Sequence, residues 1–395
     1  MLVTLVAPRL ILSGGGSVSR VAEVLAQLGL SRPLVVTDPW MASSGTVERC
    51  LAPLRAAGLA PAVFSETVPD PTDTVVEAGV AAFKAGDYDC LIGFGGGSPM
   101  DTAKAVAILA AAPEGTHIRA YKAPAQANSG AVPVICIPTT AGTGSEATRF
   151  TVITDTERDE KMLIAGLGAL PLAAIVDHEL TWTVPARTVA DTGVDSLTHA
   201  LEAFVSRRAN AFSDDYARLA MRLIAPNLRR AYADAQRGGN GPRDEEAREA
   251  MMRGAMLAGL AFSNASVALV HGMSRPIGAH FHVPHGLSNA MLLPAVTRFG
   301  LQSALPRYAE AARIMGVAGE GEGDETAAAR LVDELEALNR DLSVPTPAAH
   351  GIDPARWDGL LETMAAQAIA SGSPANNPRV PDAPEIVALY REAYA

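Results

Sequence analysis

Asp89-Cys90-Leu91-Ile92-Gly93-Phe94 is a short apolar run of strand type, and it passes directly into Gly95-Gly96-Gly97-Ser98-Pro99. A helix is expected to begin near Met100, with Asp101 in its first turn. A strand, a glycine turn and a helix start together make an anion site. The helix start directs free N–H groups outward, and glycines let a phosphate approach the backbone. A tight strand-to-helix turn also wants glycine, but three glycines and a serine exceed what a turn requires. The pattern is not GxGxxG, and the strand is not the first in the chain. The earlier Gly14-Gly15-Gly16-Ser17 reads as a turn.

Outward from this stretch, short apolar runs at 9–13, 33–37, 62–64, 132–137, 150–154 and 173–176 read as strands. Helical spacing fills 18–28, 45–57 and a segment capped by Thr72 that runs to about residue 85. Alternating strands and helices predict a doubly wound, largely parallel α/β domain over 1–185 that binds a dinucleotide. Beyond Thr188 strand signals vanish. Helices are expected at 190–206, 212–232, 245–263, 288–299, 305–315, 324–342, 353–370 and 383–393. The second domain, 186–395, is therefore expected to be all-helical, with the site in the cleft between the two.

Two further features of the first half suit a dinucleotide. Asp38 ends an early strand, where a carboxylate bonds both hydroxyls of an adenosine ribose and repels a 2′-phosphate. That favours NAD over NADP; a helix-capping aspartate before Pro39 is the competing reading. In Pro138-Thr139-Thr140-Ala141-Gly142-Thr143-Gly144-Ser145-Glu146, small hydroxyl side chains at a strand end suit a ribose, a pyrophosphate or a nicotinamide amide. A flexible surface loop has the same composition.

The second half carries Asp195 and His199, four apart in a pattern with helical spacing. Such a pair lies on one face, one turn apart. Downstream come His271 and His285, with Pro276 and Pro284 between them, so one unbroken helix does not hold both. One carboxylate and three imidazoles suit a divalent transition metal. An isolated Asp/His pair is more often a surface or capping pair. Here, though, four of the eight histidines (His271, His280, His282 and His285) fall within fifteen residues of an apolar, glycine-punctuated segment.

Composition removes other classes. A net charge of −11 without any Lys/Arg cluster argues against nucleic acid or an anionic membrane as partner. Hydrophobic content of 48% against 19% charged supplies a large core and argues against disorder. No apolar run approaches the roughly 18 residues that span a bilayer, and the N-terminus does not read as a signal peptide. Cys50, Cys90 and Cys136 are scattered and odd in number, which suits free thiols in a reducing compartment and a cytoplasmic protein.

The chain resembles the iron-containing (group III) alcohol dehydrogenase family over essentially its whole length. The resemblance rests on GGGSPMDTAKA, PTTAGTGSEAT, DTGVDSLTHALEAF, HGMSRPIGAHFHVPHGLSNAMLLP and NPRVPDAPEIVALYREA, in the family's order. It implies a fold like that of dehydroquinate synthase, and metal ligation by Asp195, His199, His271 and His285. It implies pyrophosphate binding at Gly96, Gly97 and Ser98 with Asp101 nearby. Cofactor contacts from Thr139, Thr140, Thr143 and Lys161, and ribose selection by Asp38, follow in the same way. Fe2+ is the expected metal, with Zn2+ or another divalent ion suiting the same donors, and a homodimer or larger homo-oligomer is the expected assembly. The implied reaction is reversible hydride transfer between a primary alcohol and NAD.

One departure concerns Arg275, four residues after His271, where many relatives carry a histidine proposed to relay protons. Arginine stays protonated and does not shuttle a proton. Proton exit then falls to ribose hydroxyls, water or His280. Alternatively, Arg275 grips a carboxylate, sulfonate or phosphonate, helped by Arg149; a structural ion pair is the competing role. Phe150 and Phe262 are expected to wall the pocket and Ser373 to approach it. The substrate is thus expected to be an ω-hydroxy acid or its semialdehyde, with a short neutral alcohol or diol as the alternative. A lyase that uses NAD only transiently is the remoter reading.

Overall fold

The computed structural model describes residues 2–395. The described residues divide into two compact units, Val6–Trp182 and, with 2–5, Thr183–Ala395.

The first unit runs β1 (Leu10–Ser13), α1 (Val21–Leu28), β2 (Pro33–Val36), α2 (Pro39–Ser43), α3 (Glu48–Ala56), β3 (Ala62–Phe64), α4 (Asp73–Lys84), β4 (Cys90–Gly95), α5 (Gly97–Ala110), β5 (Val134–Pro138), β6 (Phe150–Asp155), β7 (Glu160–Ala165) and β8 (Ala173–Val176). Six of these strands form one sheet in the order β1-β8-β5-β4-β2-β3, with every pairing parallel. Its central strands are buried along their whole length, as a sheet covered on both faces requires. Alternate residues feed two cores. Leu34, Val36, Leu91 and Cys136 enter one, while Val35, Ile92, Phe94, Ile135 and Ile137 enter the other.

Two expectations are corrected here. The strand at 150–154 does not join the parallel sheet. It pairs antiparallel with β7, for which no strand was expected, in the register Phe150↔Ala165 to Asp155↔Glu160. Only four residues separate the two strands, and so short a connection joins antiparallel neighbours only. The second correction concerns α5, which begins at Gly97 rather than near Met100, so Asp101 lies past its first turn. The turn at Gly14–Gly16 is closed structurally: Asp177 accepts from the backbone N–H of Gly16 and of Val18.

The second unit is helical: α6 (Ala186–Val205), α7 (Ala211–Gln236), α8 (Glu245–Ala265), α9 (Leu269–Phe281), α10 (His285–Gly300), α11 (Leu305–Ile314), α12 (Asp324–Asp341), α13 (Pro354–Ala370) and α14 (Ala383–Tyr394). Of these, α9 was not expected, and it accommodates Pro276 in its interior. The chain breaks later, at His282 in the left-handed conformation (φ 56°) and Pro284. Glycine allows the closest helix contacts. A Cβ on Gly193 of α6 would stand 2.2 Å from Leu228 of α7. Among the described residues, no single helix is long and apolar enough to cross a membrane.

Candidate metal centre and dinucleotide turn

Asp195, His199 and Glu202 occupy one buried face of α6, spaced four and three residues apart. His271 is the third residue of α9, and His285 the first of α10. The start of α10 comes very close to α6: a Cβ on Gly286 would lie 2.4 Å from the carbonyl oxygen of Asp191. Only glycine fits there, and the close approach carries His285 to the aspartate.

One carboxylate oxygen is the focus. Asp195 Oδ1 stands 3.8 Å from His199 Nε2, 3.5 Å from His271 Nε2 and 3.8 Å from His285 Nε2. Ligand atoms of Asp195, His199 and His271 all lie within 4.8 Å of one another, and all three residues are buried. His285 reaches the same oxygen from the rim, with its side chain 42% exposed. The His199 ring stacks between Phe262 (4.2 Å, 21°) and His271 (4.5 Å, 22°), which fixes its plane. Burial pushes the Asp195 carboxyl up, but His199, His285 and the hydrogen bond with His271 outweigh it and hold it well below the usual carboxylate range. An ionised carboxylate with buried imidazole nitrogens directed at it is a donor set that fits a divalent cation.

Two partners were not anticipated. Glu202 Oε2 lies 2.7 Å from His271 Nδ1, and the same carboxylate accepts from the backbone N–H of Ala268 and of Val270. Asn289 Nδ2 donates to Asp195 Oδ1 at 2.6 Å and sits 3.2 and 3.3 Å from Nε2 of His271 and of His285. Both were within reach of the helical-face argument. Glu202 is seven residues after Asp195, and Asn289 is four after His285.

In the α/β unit, β4 delivers the chain through Gly95 and Gly96 to α5. Gly95 takes φ +147° and touches Pro99, where a Cβ would meet the ring at 2.6 Å. A Cβ on Gly97 would lie 3.1 Å from Thr143, and one on Gly96 would lie 3.7 Å from Thr140. Thr140 and Thr143 thus flank the turn, and the start of α5 has no side-chain cap. Thr139 Oγ1 is buried without a hydrogen-bond partner among the described residues. Bare helix N–H groups, a cradle that a side chain would fill and an unspent hydroxyl fit a dinucleotide pyrophosphate.

Asp101 is placed beneath this turn. Its oxygens accept from Ser145 Oγ at 2.7 Å and from Val152 N at 2.9 Å. Lys104 is fully buried. Its Nζ donates to the carbonyls of Ser145, Thr148 and Phe150 and so ties the threonine loop to α5. A lone lysine within the otherwise apolar Ala103–Ala110 run was the available signal. Asp38 caps α2, accepting from Met41 N at 2.8 Å. Lys161 pairs with Asp70 at 2.7 Å, and the Arg149 guanidinium lies 5.9 Å from the Phe150 ring centre. Arg275, on α9, donates to Ser373 at 3.0 Å. His280 pairs with Gln367.

Comparison with known proteins identifies the family. Residues 8–178 match the iron-containing alcohol dehydrogenase family model, and residues 189–394 match the model for the C-terminal part of that family. The chain is 37% identical to the lactaldehyde reductase of Escherichia coli (strain K12) over 96% of its own length and 97% of that protein's. It is 37% identical to the NAD-dependent methanol dehydrogenase of Bacillus methanolicus, over the same shares of the two chains. A crystal structure of a 1,3-propanediol oxidoreductase superposes with a TM-score of 0.93 and 35% identity, covering 100% of both chains. The chain therefore belongs to the iron-containing alcohol dehydrogenase family, metal-containing oxidoreductases that interconvert alcohols and aldehydes with a nicotinamide cofactor.

Proposed function

We propose that this enzyme interconverts a primary alcohol and its aldehyde, using NAD(H) and one divalent metal held by Asp195, His199, His271 and His285. The observation that carries this reading is the convergence of three imidazole Nε2 atoms on a single oxygen of Asp195. The metal supplies a Lewis acid that lowers the pKa of the alcohol, and NAD supplies the hydride acceptor. The chain's own residues do the rest. Glu202 keeps the proton of His271 on Nδ1 and leaves Nε2 as the donor atom. Phe262 holds the His199 ring in plane. The turn at Gly96, Gly97 and Ser98, with Thr139, Thr140 and Thr143 beside it, seats the pyrophosphate, and Asp38 selects the unphosphorylated ribose.

Fe2+ is the metal of this reading, with Zn2+ suited to the same donors. Association into a homo-oligomer is part of it through the family resemblance. A cytoplasmic setting is supported by the three buried free thiols.

The test is protein purified anaerobically and reloaded with Fe2+ or Zn2+, followed by NADH absorbance with a panel of primary alcohols and diols. Net NADH formation is expected; its absence with every alcohol overturns the dehydrogenase reading. In His271→Ala, elemental analysis is expected to find metal lost, while NAD binding persists. Full metal retention in that variant refutes the ligand assignment.

A further inference from the structure

Arg275 follows His271 by one turn of α9, so the two side chains leave the same face of the helix. Its guanidinium is half-buried. Nη1 donates to Ser373 Oγ at 3.0 Å, and no ion pair with a carboxylate is formed among the described residues. Arg248, more deeply buried, shows the usual solution, with Asp234 at 2.8 Å. Glu202 lies near enough to act on Arg275 by its charge, but both Glu202 oxygens already accept from Ala268, Val270 and His271. A guanidinium offers five donors in a planar fork, and here one is spent on a neutral hydroxyl.

The hydroxyl is itself braced. Ser373 begins a short turn packed against α9, where a Cβ on Gly272 would meet Pro374 at 2.7 Å. Asn376 fastens the same turn by donating to Ser266 Oγ at 3.1 Å and to Val267 O at 2.9 Å. Arg275, on the helix that carries His271, is thus held to a serine braced against that helix. Burial pushes the Arg275 pKa below the ordinary arginine value, a cost that an anion beside it removes.

We propose that Arg275, backed by Ser373, grips an anionic group at the far end of the substrate. The preferred substrates are then short ω-hydroxy acids or hydroxyalkyl sulfonates and their aldehydes rather than neutral alcohols. Four residues separate Arg275 from His271, about 6 Å along the axis, which suits a chain of about two to four carbons between the reacting carbon and the anion. This rests on the alcohol dehydrogenase reading above.

The experiment compares 4-oxobutanoate with butanal as substrates for metal-loaded wild type, Arg275→Met and Arg275→Lys. Alongside, calorimetry measures 4-hydroxybutanoate and 2-hydroxyethanesulfonate binding to the NADH-bound proteins, a readout that needs no turnover. Wild type is expected to favour the acid by about 10- to 100-fold in kcat/KM, the range a charge-assisted hydrogen bond supplies. In Arg275→Met the ratio is expected to fall towards one, with Arg275→Lys between, and anion binding is expected to weaken in parallel. Three outcomes overturn the clamp: an unchanged ratio in Arg275→Met, wild type preferring butanal, or loss of both substrates in step with a fall in Tm. If no aldehyde is turned over by wild type, the dehydrogenase reading fails, and calorimetry still decides the clamp. Equal anion binding in wild type and Arg275→Met then rejects it.

Discussion

Glu202 Oε2 lies 2.7 Å from Nδ1 of His271, across the ring from the Nε2 that stands 3.5 Å from Asp195. The carboxylate favours a proton on Nδ1 and holds the turn of the ring. Glu202→Gln is expected to weaken metal affinity about 10- to 100-fold with NAD affinity unchanged, measured by competition with a chelator. Glu202→Ala goes further and strips a partner from the buried N–H groups of Ala268 and Val270, which costs about 1–3 kcal/mol each. Wild-type metal affinity in Glu202→Gln would remove the glutamate from the metal site.

The structure shows the capping role of Asp38, and ribose selection is the role proposed for it. Oδ1 caps α2 through Met41 N, so under the proposal the second carboxylate oxygen would meet the ribose. Asp38→Gly is expected to shift the NADP-to-NAD ratio of kcat/KM upward by about tenfold or more, because a negative charge beside the 2′-phosphate is gone. The lost cap costs only a few tenths of a kcal/mol for glycine. Asp38→Asn keeps the cap and serves as the control. An unchanged ratio in both variants would place the ribose elsewhere.

Glu146, buried in the threonine loop, has its carboxyl pushed up to about 7 by burial, from an ordinary 4.5. The folded protein therefore holds a proton that the unfolded chain has released, over roughly pH 4.5 to 7. Stability from this group is highest at acid pH, falls as pH rises through that window, and is flat above it. Glu146→Gln is expected to remove that slope. At pH 8 it gains on the order of 3 kcal/mol over wild type, and at pH 4.5 almost nothing. Thermal melts of both proteins at the two pH values are the measurement. An equal Tm difference at both would show that the carboxylate pays no burial penalty.

Relations between residues close in sequence are legible in the sequence itself. Asp195 and His199 share a face because a helix repeats every 3.6 residues, and that argument extends to Glu202, which lies on the same face. Gly95–Ser98 advertised a strand-to-helix turn because apolar β-branched runs and glycine report local backbone preference. The α5 start was misplaced by three residues, since Pro99 fits within a helix's first turn as easily as before it.

Partnership across long sequence distances was decided by the tertiary structure alone. Spacing does not reveal that Glu202 meets His271, 69 residues on, or that Lys104 holds the carbonyls of Ser145 and Phe150. Nor does it reveal that β6 leaves the parallel sheet to pair with β7. Periodicity tells which side of an element is buried. Which other element lies against that side depends on how whole helices and strands fill space together, and side-chain chemistry such as the unpaired charge of Arg275 acquires meaning only once that filling is known.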